Sequence, residues 1–241
     1  RICSGMLRAF IDYVVTKMPR FPFDKFSDAN NSLSTQMKAT GEVMSIGRNI
    51  EESLLKAIRS LEIGAYHMHL AKFDNHTTDD LLSYITVGTD DRIYAIAELL
   101  RRHVDAGLIC DATQIDMLFI EKIRHIVELE KLTADHPMDA EVLRYVKKYG
   151  FSDRAVAKFW NTTEDEVWNF RRENNVRPVY KMIDSCAAEF KSYIPYLYST
   201  YADENESVVS DRKKIIVLGS GPIRIGQGVE FDYSTVHAVM T

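Results

Sequence analysis

The spacing of apolar residues predicts a series of short helices through the middle of the chain. Four apolar residues recur at intervals of four, four and three: Ile50, Leu54, Ile58 and Leu61. This spacing places them on one face of a helix. Asn49 can cap that helix, because Glu52 stands at the capping-box offset three residues later. We expect the helix to stop at Gly64.

Further helices are predicted up to about residue 175. Residues suited to begin them are Thr77 or Thr78, Asp90, Thr113 with Asp116, Asp139, Ser152, and Thr163 with Glu166. Gly107 and Gly150 are suited to end two of them. The longest should run to about Leu132, with one apolar face made by Ile115, Phe119, Ile126 and Leu129. Short helices joined by short loops are typical of an all-α domain.

Extended segments are predicted on both sides of the helices. Residues 12–15 and 40–44 have strand-like patterns, and Pro19 and Pro22 should break the chain between them. Residues 179–183 are also expected to be extended. After these, the polar residues 203–207 are typical of a linker.

The run Ile215–Leu218 has the pattern of a strand that is buried on both faces. It is unbroken by polar residues and is followed by Gly219 and Gly221. Such a strand needs neighbouring strands and covering helices. The residues that follow, up to Thr241, are too few to supply them. We therefore expect the sequence to be a piece of a larger protein.

The glycine loop after this run allows two interpretations. A dinucleotide-binding fingerprint, G-x-G-x-x-G, would need a third glycine at position 224, where the chain has Arg224. A phosphate-binding P-loop would need Gly-Lys-Ser/Thr, which does not occur. The alternative is that the glycines permit a tight turn and close packing. A truncated nicotinamide-dependent enzyme remains open on this pattern alone.

Composition and charge narrow the functional class. The chain has 241 residues, 46% hydrophobic and 27% charged, with a formal net charge of -5. Residues 150–173 could imitate a DNA-binding helix-turn-helix, but residues 139–177 hold eight Lys or Arg against seven Asp or Glu. A face this close to neutral is unsuited to phosphate backbones, so we expect no nucleic-acid partner. No apolar run approaches the roughly 20 residues of a membrane helix.

The cysteines and histidines offer few catalytic or metal candidates. Cys3, Cys110 and Cys186 are far apart, which suits a reducing, cytoplasmic location and excludes common zinc-finger spacings. Cys186 has acidic and apolar neighbours, so a buried, inert thiol is expected rather than a nucleophile. The only histidine cluster is His67, His69 and His76. We expect it to lie in a solvated loop, with a metal site as the alternative.

Three blocks resemble the carbamoyl phosphate synthetase large-chain family. The first is TQMKATGEVMSIGRNIEESLLKAIRSLE at Thr35–Glu62. The second is RPVYKMIDSCAAEF at Arg177–Phe190, followed by YSTY at Tyr198–Tyr201. The third is IIVLGSGPIRIGQGVEFDYSTVHA at Ile215–Ala238. Their order and spacing match the middle of that family's large chain.

The resemblance implies a fold class that is mainly α. The family is a tandem of two ATP-grasp halves separated by a helical oligomerisation domain. Residues 1–62 would end the first, carboxyphosphate-forming half. Residues 63–211 would be the oligomerisation domain with its exit segment, and residues 212–241 would begin the pre-ATP-grasp domain of the second half. The helical domain is thus flanked by partial α/β segments.

The resemblance also implies an activity and partners for the parent protein. That enzyme is an ATP-dependent carbon–nitrogen ligase, which makes carbamoyl phosphate from bicarbonate, glutamine-derived ammonia and two ATP. It serves arginine or pyrimidine biosynthesis. It uses ATP with magnesium or manganese and binds a glutaminase small chain. The ATP- and metal-binding carboxylates of both halves would lie outside residues 1–241, so we expect no catalytic residue, metal site or bound cofactor here.

Two residues match specific positions of the family. Gly228 and Glu230 correspond to residues that line the internal tunnel between the halves, where a glycine leaves space and a carboxylate is polar. Residues 1–10 depart from the family, because Leu7-Arg8-Ala9 replace its usual Phe-Glu-Pro. By the same resemblance we expect a homo-oligomer. A free-standing helical interaction module without a catalytic role is the alternative function.

Overall fold

The structure is a computed structural model that describes residues 13–21, 23, 28, 30–39, 41–183, 196–219 and 233–241. Its helices are α1 (Ile50–Ser60), α2 (Thr78–Ile85), α3 (Arg92–Arg101), α4 (Ala106–Thr113), α5 (Met117–Asp135), α6 (Ala140–Lys148), α7 (Asp153–Trp160), α8 (Glu164–Glu173) and α9 (Tyr233–Met240). A single 3₁₀ turn covers Ala71–Phe73. The expected mainly α fold is confirmed.

An antiparallel ribbon of two strands precedes the helices. It consists of β1 (Val14–Arg20) and β2 (Gly41–Gly47). The predicted break at Pro19 is wrong, because Pro19 lies inside β1 opposite Glu42. Each strand of a two-stranded ribbon has a free edge, where a missing backbone N–H is tolerated. Pro22 lies outside the described residues.

A second antiparallel ribbon follows α8. It pairs β3 (Val179–Met182) with β4 (Leu197–Thr200), which confirms the predicted extended segment near residue 180. The predicted linker is not free, because Glu206 lies along β3. Its backbone N–H donates to the Tyr180 carbonyl at 2.8 Å, and its carboxylate accepts from the Met182 N–H at 2.6 Å.

One continuous apolar core joins α1 to α8. The long helix α5 lies at its centre and packs against α1, α3, α4, α6 and α7. The buried stripe of α5 includes Ile120, Ile123, Ile126 and Leu129. A smaller cluster of Val43, Ala57 and Leu61 packs β2 against α1. The first ribbon is therefore attached to the helical body through α1.

Several predicted helix starts are confirmed by their capping hydrogen bonds. Asn49, Thr77, Asp139 and Ser152 each accept a backbone N–H of the first turn through their side chains. Thr163 forms the predicted reciprocal capping box with Glu166. These contacts are local in sequence, which is why the pattern was sufficient to find them.

The boundaries between α3 and α5 differ from the prediction. The helix expected to start at Asp90 begins at Arg92, and Gly107 lies in the first turn of α4 instead of ending α3. Thr113 ends α4, and Asp116 alone caps α5. Phe119 was expected on the buried face, yet it is 51% exposed.

The first helix also ends earlier than expected. Helix α1 ends at Ser60, and the chain turns through Glu62, which has a φ of 56°.

The apolar run near residue 215 forms no strand. Ile215 and Leu218 are 91% and 92% exposed, and residues 213–219 have no regular structure. Their pattern calls for burial that the described residues do not provide.

Candidate functional site: a buried polar junction

Helix α1 has two adjacent glutamates whose carboxylates are both buried. Glu51 and Glu52 are 0% and 1% exposed. Asn49 fixes the first turn of the helix by accepting the Glu52 backbone N–H at 2.8 Å. Consecutive helical residues point about 100° apart, so the two carboxylates reach different neighbours. A buried carboxylate needs an ionic or hydrogen-bonding partner. The partners of these two define a site that we call the junction.

The Glu52 carboxylate ties both ribbons to α1. Its Oε2 accepts the Arg48 backbone N–H at 2.7 Å and the Thr200 hydroxyl of β4 at 3.0 Å. Its Oε1 pairs with the Lys56 ammonium at 2.8 Å. That ammonium also donates to the carbonyls of Ile46 in β2 and Ser199 in β4, at 2.8 and 2.6 Å. Burial lowers the pKa of Lys56, and the Glu52 charge opposes this shift.

The turn between α6 and α7 packs directly onto the start of α1. Gly150 has a φ of 90°, and a Cβ atom there would lie 2.7 Å from the Glu52 Cα. Arg59 donates to the Gly150 carbonyl at 2.6 Å, and Asn49 donates to the Lys148 carbonyl at 3.0 Å. Only glycine fits this conformation and this separation without displacing the backbone.

Lys147 extends the junction into α7 and α8. It is 2% exposed, donates to the Phe151 carbonyl at 3.0 Å, and pairs with the carboxylate of Asp153. Arg171 of α8 binds the other oxygen of Asp153 at 2.7 Å. Burial lowers the pKa of Lys147 to about 8, and Asp153 opposes the shift. The Lys147 ammonium also lies 5.4 Å from the ring centroid of Tyr201, just after β4.

The Glu51 carboxylate connects α1 to α5. Its Oε1 accepts from His125 Nδ1 at 2.8 Å and pairs with the Lys122 ammonium at 3.3 Å. Its Oε2 is buried and has no hydrogen bond from the described residues. Together with Glu52, it makes α1 the element through which the ribbons and the helical body are joined. Paired, buried charges of this kind fix the relative positions of the elements that they join.

The predicted histidine cluster lies in a separate network. His67 is 8% exposed and its Nδ1 lies 3.1 Å from Glu130, so the expectation of a solvated loop is wrong for this residue. His69 Nε2 instead faces Asp74 at 2.7 Å. Arg101 holds Glu130 through two guanidinium nitrogens. Within the described ranges, no group of three or more His, Cys, Asp or Glu side chains is arranged to hold a metal.

The other sequence candidates lie outside the described residues. They are Gly228 and Glu230, and also Cys186 and Arg224.

The sequence patterns did not predict the junction itself. A signal was present for Lys147, which stands four residues after the buried Leu143 and therefore on the inward face of α6. For Glu51 and Glu52 the pattern indicated only a capped first turn.

Two family models match this chain in the order of its elements. Residues 42–175, from β2 through α8, match a model described as the carbamoyl-phosphate synthetase large chain, oligomerisation domain. Residues 211–241 match a model described as the carbamoyl phosphate synthase pre-ATP-grasp domain. The chain belongs to the carbamoyl-phosphate synthetase large-chain family. This confirms the resemblance of the three sequence blocks to that large chain.

The junction lies mainly within the oligomerisation domain of this large-chain segment. Glu51, Glu52, Lys147 and Gly150 all fall inside the first matched range, whereas Thr200 lies between the two ranges. An oligomerisation domain indicates self-association. No helix in the part of the chain that the structure describes is long and apolar enough to cross a membrane.

Proposed function

We propose that this chain is the structural and assembly segment of a carbamoyl-phosphate synthetase large chain, which links two synthetase halves and mediates their oligomerisation. The observation that supports the linking role is the junction. Through Glu52 and Lys56, the strand that enters the helical domain and the strand that leaves it bind the same turns of α1. Their relative orientation is therefore set by one buried polar network.

The proposed division of the chain follows the order of the matched ranges. In this division residues 1–62 end the first ATP-grasp half, residues 63–211 form the oligomerisation domain with its exit segment, and residues 212–241 begin the second half. The oligomerisation-domain match itself begins at residue 42, so β2 and α1 lie in both assignments. The run Ile215–Leu218 favours the last assignment, because Ile215, Ile216 and Leu218 are exposed although the pattern is that of a strand that packs within a larger sheet. Both matching models describe synthetase domains, so the nicotinamide-enzyme alternative has no further support.

The parent enzyme is proposed to be the glutamine-dependent, cytoplasmic form of this ligase. It would make carbamoyl phosphate from bicarbonate, ammonia from a glutaminase small chain, and two ATP, for arginine or pyrimidine synthesis. ATP and magnesium or manganese would bind to other parts of the large chain. Gly228 and Glu230 are proposed to line the tunnel between the halves. The buried charges of the junction form ion pairs with one another, which is consistent with a structural role for this segment.

Two measurements on the purified chain test this proposal. Light scattering after size exclusion should give a multiple of the 27.6 kDa chain mass that falls on dilution. A monomer at every concentration tested would contradict the assembly role. Phosphate release from ATP should not depend on bicarbonate, whereas bicarbonate-dependent hydrolysis would contradict the structural role. Circular dichroism, which should show predominantly helical protein, verifies that the chain is folded in both assays.

A further inference from the structure

A surface pocket of about 670 Å³ lies on the helical body and shares no lining residue with the junction. One wall is the connecting segment 63–71, and the other is α7 with the start of α8. Gly64 borders the pocket with a φ of 77° and has no atom within 4 Å of the position that a Cβ would take. The polar side chains around it include Arg154, Lys158 and Glu164. The pocket has no role in the linking function proposed above.

Two cations of α7 line this pocket without being neutralised. Arg154 and Lys158 stand four residues apart, which places them one above the other on the same helix face. Among the described residues, no carboxylate forms an ion pair with either of them. Asp153, the residue before Arg154 in α7, is instead paired with both Lys147 and Arg171. The pocket therefore has two positive charges that remain available to a ligand.

Both cations are nevertheless held in place. The guanidinium carbon of Arg154 lies 3.8 Å from the ring centroid of Tyr66, so its plane is supported while its N–H edge stays free. The Lys158 ammonium lies 3.1 Å from Nε2 of His67. Since an ammonium can only donate, that nitrogen accepts, and the ring proton is on Nδ1, facing Glu130 at 3.1 Å. A neutral imidazole thus positions Lys158 without cancelling its charge.

These features favour an anionic ligand. Positioned cations bind an anion at a lower entropic cost than mobile ones, because less side-chain freedom is lost on binding. The free edge of an arginine fork is suited to two oxygens of one group, and lysine adds a point charge. The start of α8 does not contribute, because Thr163 and Glu166 close it with a capping box. Glu164 lines the pocket and disfavours a ligand that is anionic throughout.

We propose that this pocket binds a small molecule bearing a phosphate group, which is held by Arg154 and Lys158. A phosphate monoester has a charge between about -1.5 and -2 at neutral pH, close to the two positive charges offered. Tyr66 and His67 act as positioning residues. The remainder of the ligand lies toward Glu164, so a neutral or cationic group is expected there.

Calorimetric titration with inorganic phosphate, at constant ionic strength maintained with sodium chloride, tests the proposal on the whole chain. Saturable binding is expected, and sulfate should compete because its charge and shape are similar, whereas acetate should not. Arg154→Gln and Lys158→Gln should each weaken binding by roughly tenfold or more, as for other hydrogen bonds between charged groups. Both residues are on the surface, so the variants should fold. Lys17→Gln, which removes a lysine paired with Glu42 on the first ribbon, is the matched control and should bind normally.

Three outcomes would overturn the proposal. The first is a heat of titration with phosphate that is no larger than the heat of titration with chloride at equal ionic strength. The second is a double Arg154→Gln, Lys158→Gln variant that binds as tightly as the unmodified chain. The third is competition by acetate equal to that by sulfate, which would indicate a site for carboxylates. A phosphate monoester with an amino group should bind more tightly than inorganic phosphate, and equal affinity would refute the role assigned to Glu164.

Discussion

Replacing Lys147 with methionine should change how the stability of this protein depends on pH. Methionine keeps most of the length of the side chain and removes its charge. In the folded protein the ammonium is buried and faces Asp153, while Arg171 and Arg59 add positive charge nearby. Burial is the largest of these effects and lowers the pKa of Lys147 from 10.5 to about 8. The unfolded chain has no such environment, so its lysine keeps the ordinary value.

The sign of the effect follows from proton binding. Below pH 8, Lys147 is protonated in both the folded and the unfolded protein. Between about 8 and 10.5 the folded protein has lost a proton that the unfolded chain still holds, so the free energy of unfolding rises with pH. One pKa unit corresponds to about 1.4 kcal/mol, so the change from 10.5 to about 8 amounts to about 3 kcal/mol in full. Most of this rise falls between pH 7 and 10.

Urea unfolding at pH 7, 8, 9 and 10, followed by circular dichroism, measures this dependence. Over this interval the free energy of unfolding of the unmodified protein should rise by roughly 2–3 kcal/mol relative to that of Lys147→Met. Burial also raises the pKa of Tyr201, which lowers stability above pH 10, so the series ends there. Lys17→Met, at an exposed lysine, is the control and should follow the unmodified protein. If the difference in the free energy of unfolding between the unmodified protein and Lys147→Met stayed constant from pH 7 to 10, a buried lysine with a lowered pKa would be refuted.

Further substitutions test other contacts by the same unfolding assay. We expect Gly64→Ala to lower the free energy of unfolding by about 1 kcal/mol and Gly150→Ala to lower it by at least twice as much. Both glycines have a positive φ, but only at position 150 would a Cβ lie 2.7 Å from the Glu52 Cα. Equal costs would mean that the turn between α6 and α7 can move away from α1. Thr200→Val should cost about 1.5–3 kcal/mol by removing a hydrogen bond to a buried carboxylate, and a neutral change would show that the second ribbon is not held there. Thr163→Ala removes the N-cap of α8 and should lower the free energy of unfolding by about 1 kcal/mol. An unchanged midpoint of urea unfolding would contradict the capping box.

The local features of the helices could be predicted from the sequence. The starts of α1, α2, α6, α7 and α8 were found because a cap depends on residues within three positions of each other. The mainly α fold follows from the same patterns. The helix α4 was missed because the turn after it is formed by Gln114, whose φ of 57° is adopted without glycine. Glutamine seldom adopts this left-handed backbone conformation, so its presence in a sequence does not predict the end of a helix.

The junction could not be predicted, because its partners are far apart in the chain. Glu52 meets Thr200 across 148 positions, and Asn49 meets Lys148 across 99. Nothing near Glu52 indicates that its carboxylate turns inward, since a glutamate in a first helical turn is ordinarily exposed. The glycine at position 150 was interpreted as a helix stop. That role is real, but the close approach to α1 is a second requirement, visible only in three dimensions.

The chemistry of the junction favours orientation over added stability. Moving a charge out of water costs several kcal/mol, and ionic pairing often only offsets this cost. Apolar contacts such as those of Val43 with Ala57 hold β2 on α1 without the free-energy cost of burying a charge, but they have little directionality. The oxygens of Glu52 accept at definite distances from a backbone N–H, a hydroxyl and an ammonium. Two of these donors, Arg48 and Lys56, lie within four residues of Glu52, and the third is Thr200 of β4. Sliding the second ribbon would remove the Thr200 hydrogen bond to this buried carboxylate, and sliding either ribbon would break a carbonyl contact of Lys56. Such a penalty for misalignment is what a segment between two synthetase halves would require.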